Sequence, residues 1–172
     1  MKFQSINELE HFDFKDTVLK DFSVSEDTIT LQLEAVIVKP ENTQNGNYTY
    51  SYAADTTMVL SGARISCAVK EGYKYYDAND VLREEVPDTP LDDEELAALL
   101  KGFSADGRGN EEEQSPVYMW NMTAVEKDQN DTGHFLYLMG IDVDEDTTYW
   151  LQIEFDRSML GWDRYMNRVE QM

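Results

Sequence analysis

Few residues in this sequence have the types and spacing that a nucleophilic enzyme needs. The 172 residues include one cysteine, Cys67, and two histidines, His11 and His134. A histidine acts as a general base only beside a nucleophile and a carboxylate, and the sequence holds no Gly-x-Ser-x-Gly motif. Cys67 shares one face of a predicted strand with Ile65 and Val69, which predicts a buried, unreactive thiol. The sequence therefore favours a protein without enzymatic activity, and a small hydrolase that uses His134 with a carboxylate is the second alternative function.

Three aspartates at alternate positions could bind a hard cation, since calcium prefers oxygen ligands. Asp142, Asp144 and Asp146 would share one face of an extended chain at about 7 Å spacing. A solvated hairpin turn at 144–147 explains the same residues without a metal. We therefore expect no cofactor, and a calcium- or carbohydrate-binding β module, with calcium as its candidate ligand, is the first alternative function.

The balance of charge is the most unusual property of the chain. Thirty-five Asp and Glu residues face 14 Lys and Arg residues, which gives a formal net charge of −21. Residues 77–113 contain thirteen acidic residues and three basic ones. Such a surface accelerates the capture of a basic partner protein, although acidic residues also provide solubility. The predicted partner-binding residues are seven acids of this segment: Asp92, Asp93, Glu94, Glu95, Glu111, Glu112 and Glu113.

Tyrosine is the second surplus in the composition. Six of the ten tyrosines are grouped in the sequence: Tyr48, Tyr50, Tyr52, Tyr73, Tyr75 and Tyr76. Tyrosine is enriched at protein interfaces, where a rigid ring buries area at low entropy cost, and aromatic strips also bind sugars by stacking. Strand propensity combined with partial burial explains the same residues without a ligand.

The negative charge and the lack of certain motifs exclude several classes of function. Nucleic acids and anionic membranes need a basic surface, so we expect neither as a partner. The sequence contains no Walker motif and no Gly-x-Gly-x-x-Gly motif for phosphates. The N-terminal residues lack the apolar run of a signal peptide, and no segment approaches the roughly 18 apolar residues that span a bilayer. We therefore expect a cytoplasmic protein of bacterial type.

Alternating apolar residues predict that most of the chain is β-strand. Over 28–38, Ile29, Leu31 and Leu33 alternate with polar residues, which is the period-two pattern of a half-buried strand. A preceding strand should end at a turn over 25–27. The other predicted strands cover 48–52, 57–69, 117–125, 134–143 and 148–155.

Glycines mark special positions within this pattern. Gly62 interrupts the predicted strand over 57–69, which indicates a bulge or a close backbone approach. Asn45-Gly46 is a typical hairpin dipeptide. Gly102 follows Lys101, where it is predicted to end a helix.

Apolar residues at helical spacing predict one or two short helices. Residues 92–101 begin with four acids and carry Leu96, Leu99 and Leu100 on one stripe. A second candidate lies at the C-terminus, where the same spacing recurs at Trp162, Tyr165, Met166 and Val169. Residues 5–8, Ser-Ile-Asn-Glu, resemble a capping box and predict a single N-terminal turn.

These elements predict one domain over residues 1–172 in the α+β class. We expect a mostly antiparallel, sandwich-like β-sheet with one or two short helices packed on it. Residues 104–116 have the polar, glycine-rich composition of a mobile loop.

Two apolar patterns resemble those of small uncharacterised bacterial β-rich proteins, some of which are immunity proteins encoded beside toxins. The patterns are Phe14-Lys15-Asp16-Thr17-Val18 and Ile29-x-Leu31-x-Leu33-x-x-Val36. The resemblance covers about the first third of the chain and carries over no catalytic residue. It implies a non-enzymatic protein-binding module, in its most specific form an immunity-type inhibitor of a basic partner protein.

Overall fold

The computed structural model describes residues 2–103, 117–120, 125–127, 135–144 and 147–169, with side chains in 2–103, 139–142 and 147–166. Within these ranges the chain forms antiparallel β-strands, a 3-10 turn at Leu9–His11 and one α-helix, α1, at Asp93–Phe103. The strands are β1 Phe3–Ile6, β2 Phe12–Asp13, β3 Val18–Ser25, β4 Thr28–Glu34, β5 Val36–Val38, β6 Ser51–Ala53, β7 Thr56–Ser61, β8 Arg64–Lys70, β9 Tyr73–Tyr76, β10 Leu82–Val86, β11 Thr89–Pro90, β12 Val117–Trp120, β13 Val125–Lys127, β14 Phe135–Asp144, β15 Thr147–Phe155, β16 Arg157–Trp162 and β17 Tyr165–Val169.

The main sheet has eleven strands in the order β1-β16-β7-β4-β3-β12-β14-β15-β8-β11, with β13 paired to β14. A four-stranded sheet, β17-β6-β5-β2, and a two-stranded sheet, β10-β9, complete the described strands. Predicted strands over 134–143 and 148–155 are confirmed as β14 and β15, and the turn over 25–27 joins β3 to β4. The fold is thus mostly antiparallel β-sheet.

One long ladder of paired strands bends at a corner of the main sheet. Residues 56–70 pair with residues 149–162, from Thr56 opposite Trp162 to Lys70 opposite Tyr149. At the corner Gly62 has a φ of +62°, and a Cβ there would lie 2.1 Å from Oδ2 of Asp156. Gly62 thus marks a close approach as expected, but by the side chain of Asp156 rather than by another backbone.

The corner at Gly62 divides the predicted strand over 57–69 into two strands, β7 and β8. The buried positions change from even to odd across it, from Met58 and Leu60 in β7 to Ala63 just before β8, and are even again at Ala68 within β8. Cys67 is consequently exposed. The prediction of a buried Cys67 is wrong because the pairing of β8 with β15 shifts register between Ile65 and Cys67, and the alternating pattern does not continue through that irregularity.

Ala35 divides the predicted strand over 28–38 in the same way. It has a φ of +63°, a conformation that residues other than glycine rarely adopt. The chain leaves the main sheet at Glu34 and enters the small sheet at Val36. The apolar run of this segment is long because it belongs to two sheets.

The main core gathers side chains from both ends of the strand order. Leu31 of β4, Leu60 of β7 and Ile153 of β15 are fully buried in one cluster. Helix α1 closes part of this core with Phe103, whose ring lies 6.2 Å from that of Phe22 in β3. The helix predicted over 92–101 is thereby confirmed, but it extends through Gly102 to Phe103.

The second predicted helix, at the C-terminus, is wrong. Trp162 ends β16 and Tyr165 begins β17, so the two residues occupy strands of different sheets. The connection between the two strands is short, so the two residues are three positions apart, as in a helical turn. Their ring centroids lie 5.7 and 5.1 Å from that of Phe3. A single helix gives less helical content than the predicted α+β class implies. No helix among the described residues is long and apolar enough to cross a membrane.

Candidate protein-binding surface

The acids at the start of α1 divide into two pairs with different roles. The backbone N–H of Glu95 donates to Oδ1 of Asp92 at 2.8 Å, and the N–H of Asp92 donates to Oε1 of Glu95 at 3.3 Å. This reciprocal arrangement is a capping box, which satisfies helix N–H groups that lack intrahelical partners. Asp92 and Glu95 thus start the helix.

Asp93 and Glu94 are the members of this group that present charge outward. Both side chains are exposed, and no hydrogen bond or ion pair within the described ranges engages either of them. The positive end of the helix dipole stabilises carboxylates at these positions. Of the seven predicted partner-binding residues, Glu111, Glu112 and Glu113 lie outside the described residues.

A two-stranded arm, residues 73–86, precedes α1 in the chain. The patterns in the sequence do not predict this arm. Its strands, β9 and β10, pair with each other and with no other described strand. The exposed fractions of Tyr73, Tyr75 and Tyr76 are 52%, 58% and 50%. Val81 and Leu82, 48% and 43% exposed, extend the apolar surface to the tip of the arm. The tyrosine group seen in the sequence is therefore divided: the tyrosines of the arm face solvent, whereas Tyr52 is buried in the small sheet and Tyr50 packs against its cluster.

The base of the arm is fixed to the main sheet by Gly72. β11 pairs with β8 just below it, so the arm continues the same two-stranded ladder. The N–H of Gly72 donates to Oδ1 of Asp88 at 2.7 Å. A Cβ on Gly72 would lie only 2.0 Å from the backbone oxygen of Val86. This contact permits glycine alone and defines where the arm leaves the sheet.

Asp77 organises the tip of the arm. Its Oδ1 accepts hydrogen bonds from the N–H groups of Asn79 and Val81 at 2.8 and 3.1 Å, and its Oδ2 accepts one from Nε of Arg83 at 2.7 Å. The bonds from Val81, Arg83 and Asn79 lower the pKa of Asp77. The turn is therefore held by its own side chains, and the arm is preorganised despite its exposure.

The two faces of the arm differ in chemistry. Tyr73 lies opposite Val86 and Tyr75 opposite Glu84, so these four residues share one face, which we call the tyrosine face. The hydroxyl of Tyr73 donates to Oε1 of Glu84 at 3.1 Å, and this bond raises the pKa of Tyr73.

The opposite face of the arm carries an ion pair. Lys74 lies opposite Glu85, with 3.7 Å between Nζ and Oε1, and Tyr76 lies opposite Leu82. The charge of Glu85 is thus partly neutralised by a neighbour, whereas that of Glu84 has a tyrosine hydroxyl and solvent around it.

The predicted calcium and hydrolase sites fall mainly on residues that are not described. Asp146 and His134 lie outside the described residues, as does the side chain of Asp144. Oδ1 of Asp142 accepts a hydrogen bond from Oγ1 of Thr148 at 2.6 Å, across the paired strands β14 and β15. Among the described residues there is no group of three or more His, Cys, Asp and Glu side chains that could hold a metal. Calcium binding stays a prediction.

Glu8 is the centre of a buried polar network between the N-terminal turn and the loop at 39–50. Its carboxylate accepts hydrogen bonds from Oγ1 and N of Thr43 at 2.6 and 3.0 Å and from Oγ of Ser5 at 2.9 Å. Nδ1 of His11 lies 3.3 Å from Oε2. Asn42 donates to Ser5 at 3.0 Å. The predicted N-terminal turn lies later than expected, because Ser5 and Ile6 belong to β1 and the 3-10 turn covers Leu9–His11. His11 belongs to this structural network.

We expect Glu8→Gln to reduce the acid sensitivity of folding. Burial raises the pKa of Glu8, but the hydrogen bonds from Thr43, Ser5 and His11 together lower it below the ordinary value of 4.5. A lowered pKa stabilises the fold above 4.5, and this contribution is lost as pH falls through the native-state pKa. The variant should be less stable by about 1–2 kcal/mol at pH 7, and the difference should shrink as pH falls below 4.5.

Urea unfolding of the parent and of the Glu8→Gln variant at a series of pH values measures this effect. Glu41→Gln is the matched control, because Glu41 is exposed and lies in the loop that Glu8 holds. A constant difference between Glu8→Gln and the parent from pH 7 to pH 3 would contradict the assignment.

Comparison of the chain with protein-family models, with curated proteins and with solved structures gave no match.

Proposed function

We propose that the chain is a non-enzymatic, acidic protein-binding module that docks a basic partner protein. The observation that carries the proposal is that the tyrosines and carboxylates of the arm are exposed, as are Asp93 and Glu94 at the start of α1. Interfaces favour such amphipathic rings, and carboxylates around them select a partner of opposite charge. An immunity-type inhibitor of a basic partner is the most specific form of this proposal.

The local charge supports this function. Residues 71–101 contain ten acids and three basic residues, and the chain passes from the arm through β11 directly into α1. Charges within about 8 Å of one another act together at physiological ionic strength, whereas distant ones are screened. A concentrated field of this kind raises the association rate with a basic protein and makes it sensitive to salt.

Two further inferences belong to this proposal. The main sheet is sandwich-like, since strands from both ends of its order share one core cluster. The location is cytoplasmic, a reducing compartment that suits a chain with one exposed cysteine, Cys67.

We expect Asp93→Asn/Glu94→Gln to slow association with a basic ligand about threefold at low salt and to flatten its salt dependence. The ligands are positively charged peptides selected from a random-peptide display library on the parent protein. Stopped-flow or surface-plasmon measurements between 20 and about 300 mM NaCl report the rates over the range in which screening changes most.

The control variant, Glu41→Gln/Asp55→Asn, makes the same change in net charge at exposed positions outside the helix and the arm. It should leave the association rate nearly unchanged. Equal slowing by both double variants would mean that net charge alone attracts the peptides, and the proposed binding surface would be wrong. A toxin domain encoded in an adjacent reading frame would support the immunity form of the proposal.

A further inference from the structure

We propose that the tyrosine face of the arm, formed by Tyr73, Tyr75, Glu84 and Val86, is where the basic partner docks, through arginine or lysine side chains of an extended segment. This inference rests on the proposed function and specifies its contact surface. The opposite face, with Tyr76 and the Lys74–Glu85 pair, is assigned no contact.

The spacing of the tyrosines fits an extended ligand. Tyr73 and Tyr75 are two residues apart on one strand, so their rings are displaced by about 7 Å along the arm. An extended peptide repeats its side chains with the same period. Arginines at alternate positions can therefore lie over the two rings at once.

The chemistry of the face selects cations. A guanidinium or ammonium group over a tyrosine ring is attracted by the negative face of the π system. Glu84 lies opposite Tyr75 and bonds the hydroxyl of Tyr73, so a carboxylate stands beside both rings. Aliphatic stems of lysine or arginine can cover the exposed ring surface while their charged ends reach Glu84.

The charge of the arm argues against a second copy of the chain as the occupant. Residues 73–88 contain five acids, Asp77, Asp80, Glu84, Glu85 and Asp88, and two basic residues. Two arms face to face would bring like charges together, which costs free energy at an interface. A basic segment of a different protein meets the same surface with opposite charge.

The test uses a fluorescein-labelled peptide of four Arg-Ser repeats, with binding measured by fluorescence anisotropy at 50 mM NaCl. Neighbouring residues on opposite faces provide matched variants. We expect Tyr75→Ala and Glu84→Gln each to weaken binding about three- to fivefold, as exposed cation–π and charge contacts do when removed. Tyr76→Ala and Glu85→Gln change the same residue types on the opposite face and should change the dissociation constant less than about twofold.

A further variant separates loss of the ring from loss of the arm. Tyr75→Leu keeps an apolar side chain in the cross-strand pair, so it should preserve the arm and still weaken binding nearly as much as Tyr75→Ala. Parent-like binding by Tyr75→Leu would overturn the inference, because the ring would then not be the contact.

The remaining outcomes are also decisive. Equal weakening by variants of both faces, or no measurable binding of the Arg-Ser peptide, overturns the docking face. If Asp93→Asn/Glu94→Gln slows the selected peptides while Tyr75→Ala and Glu84→Gln have no effect, the proposed function holds and this inference fails.

Discussion

Replacing Trp162 with alanine should lower the free energy of unfolding by about 3–5 kcal/mol, the cost typical of removing a buried tryptophan. Trp162 is 1% exposed and is among the largest fully buried side chains. Its ring centroid lies 5.7 Å from that of Phe3 in β1, 5.9 Å from that of Phe12 in β2 and 5.9 Å from that of Tyr165 in β17. Denaturant unfolding followed by circular dichroism measures the loss.

The position of Trp162 explains why this loss should be large. β1 and β16 belong to the main sheet, whereas β2 and β17 belong to the small sheet. Trp162 therefore packs at the junction of the two sheets and near both ends of the described chain. Its removal leaves a cavity that neither sheet can fill without moving relative to the other.

Trp150→Ala is the control, because Trp150 also lies in a long strand of the main sheet. Its side chain is only partly buried, and Nε1 donates to Oε2 of Glu71 at an exposed site, at 2.8 Å. The loss should be about 1–2 kcal/mol, in keeping with a partly exposed ring and one hydrogen bond. Similar losses in the two variants would contradict the role assigned to Trp162.

Local patterns in the sequence predict the local parts of this fold. β3 and β4 are joined by a short turn, and only two residues separate β14 from β15 in the sequence. Alternation bounded by polar residues predicts each pair. Helix α1 was expected from its acids and its leucine stripe. These elements depend on contacts between residues close in sequence, where periodicity and turn chemistry act directly.

The pairing of strands that are distant in the sequence cannot be predicted from local patterns. Phe3 pairs with Trp162 across nearly the whole chain, and no local pattern encodes that register. Ala35 has a positive φ, and because it is not a glycine the sequence does not indicate this conformation. The C-terminal residues were assigned to a helix because two strands with a short connection reproduce helical spacing.

The candidate binding surface was predictable in composition and not in shape. The acids of residues 92–95 are evident from the sequence, and their Asp-x-x-Glu spacing could have identified the capping pair. The faces of the arm cannot be predicted from the sequence alone. Only the register of β9 and β10 shows that Tyr75 and Glu84 share a face while Tyr76 lies on the other. Exposure of the tyrosines follows from the arm leaving the sheet at Gly72, which is a tertiary property.

Replacing Gly62 with alanine is expected to lower the free energy of unfolding by about 2–4 kcal/mol. Two effects combine at this position. A left-handed conformation costs a residue with a Cβ about 1–2 kcal/mol, and overpacking adds a similar amount. The new Cβ would lie 2.1 Å from Oδ2, 2.7 Å from Cγ and 3.1 Å from Cβ of Asp156. Urea unfolding of the parent and the variant gives the total.

A double-mutant cycle with Asp156→Ala separates the two effects at the Gly62 corner. Removing Cγ and both oxygens of Asp156 relieves the closest contacts, so the cost of Gly62→Ala should fall to about 1–2 kcal/mol in the Asp156→Ala background. Gly46→Ala is the control, since a Cβ on Gly46 meets nothing within 4 Å, and it should change stability by less than about 1 kcal/mol. An unchanged cost in the Asp156→Ala background would show that the left-handed backbone alone, and not the approach of Asp156, requires glycine where β7 turns into β8.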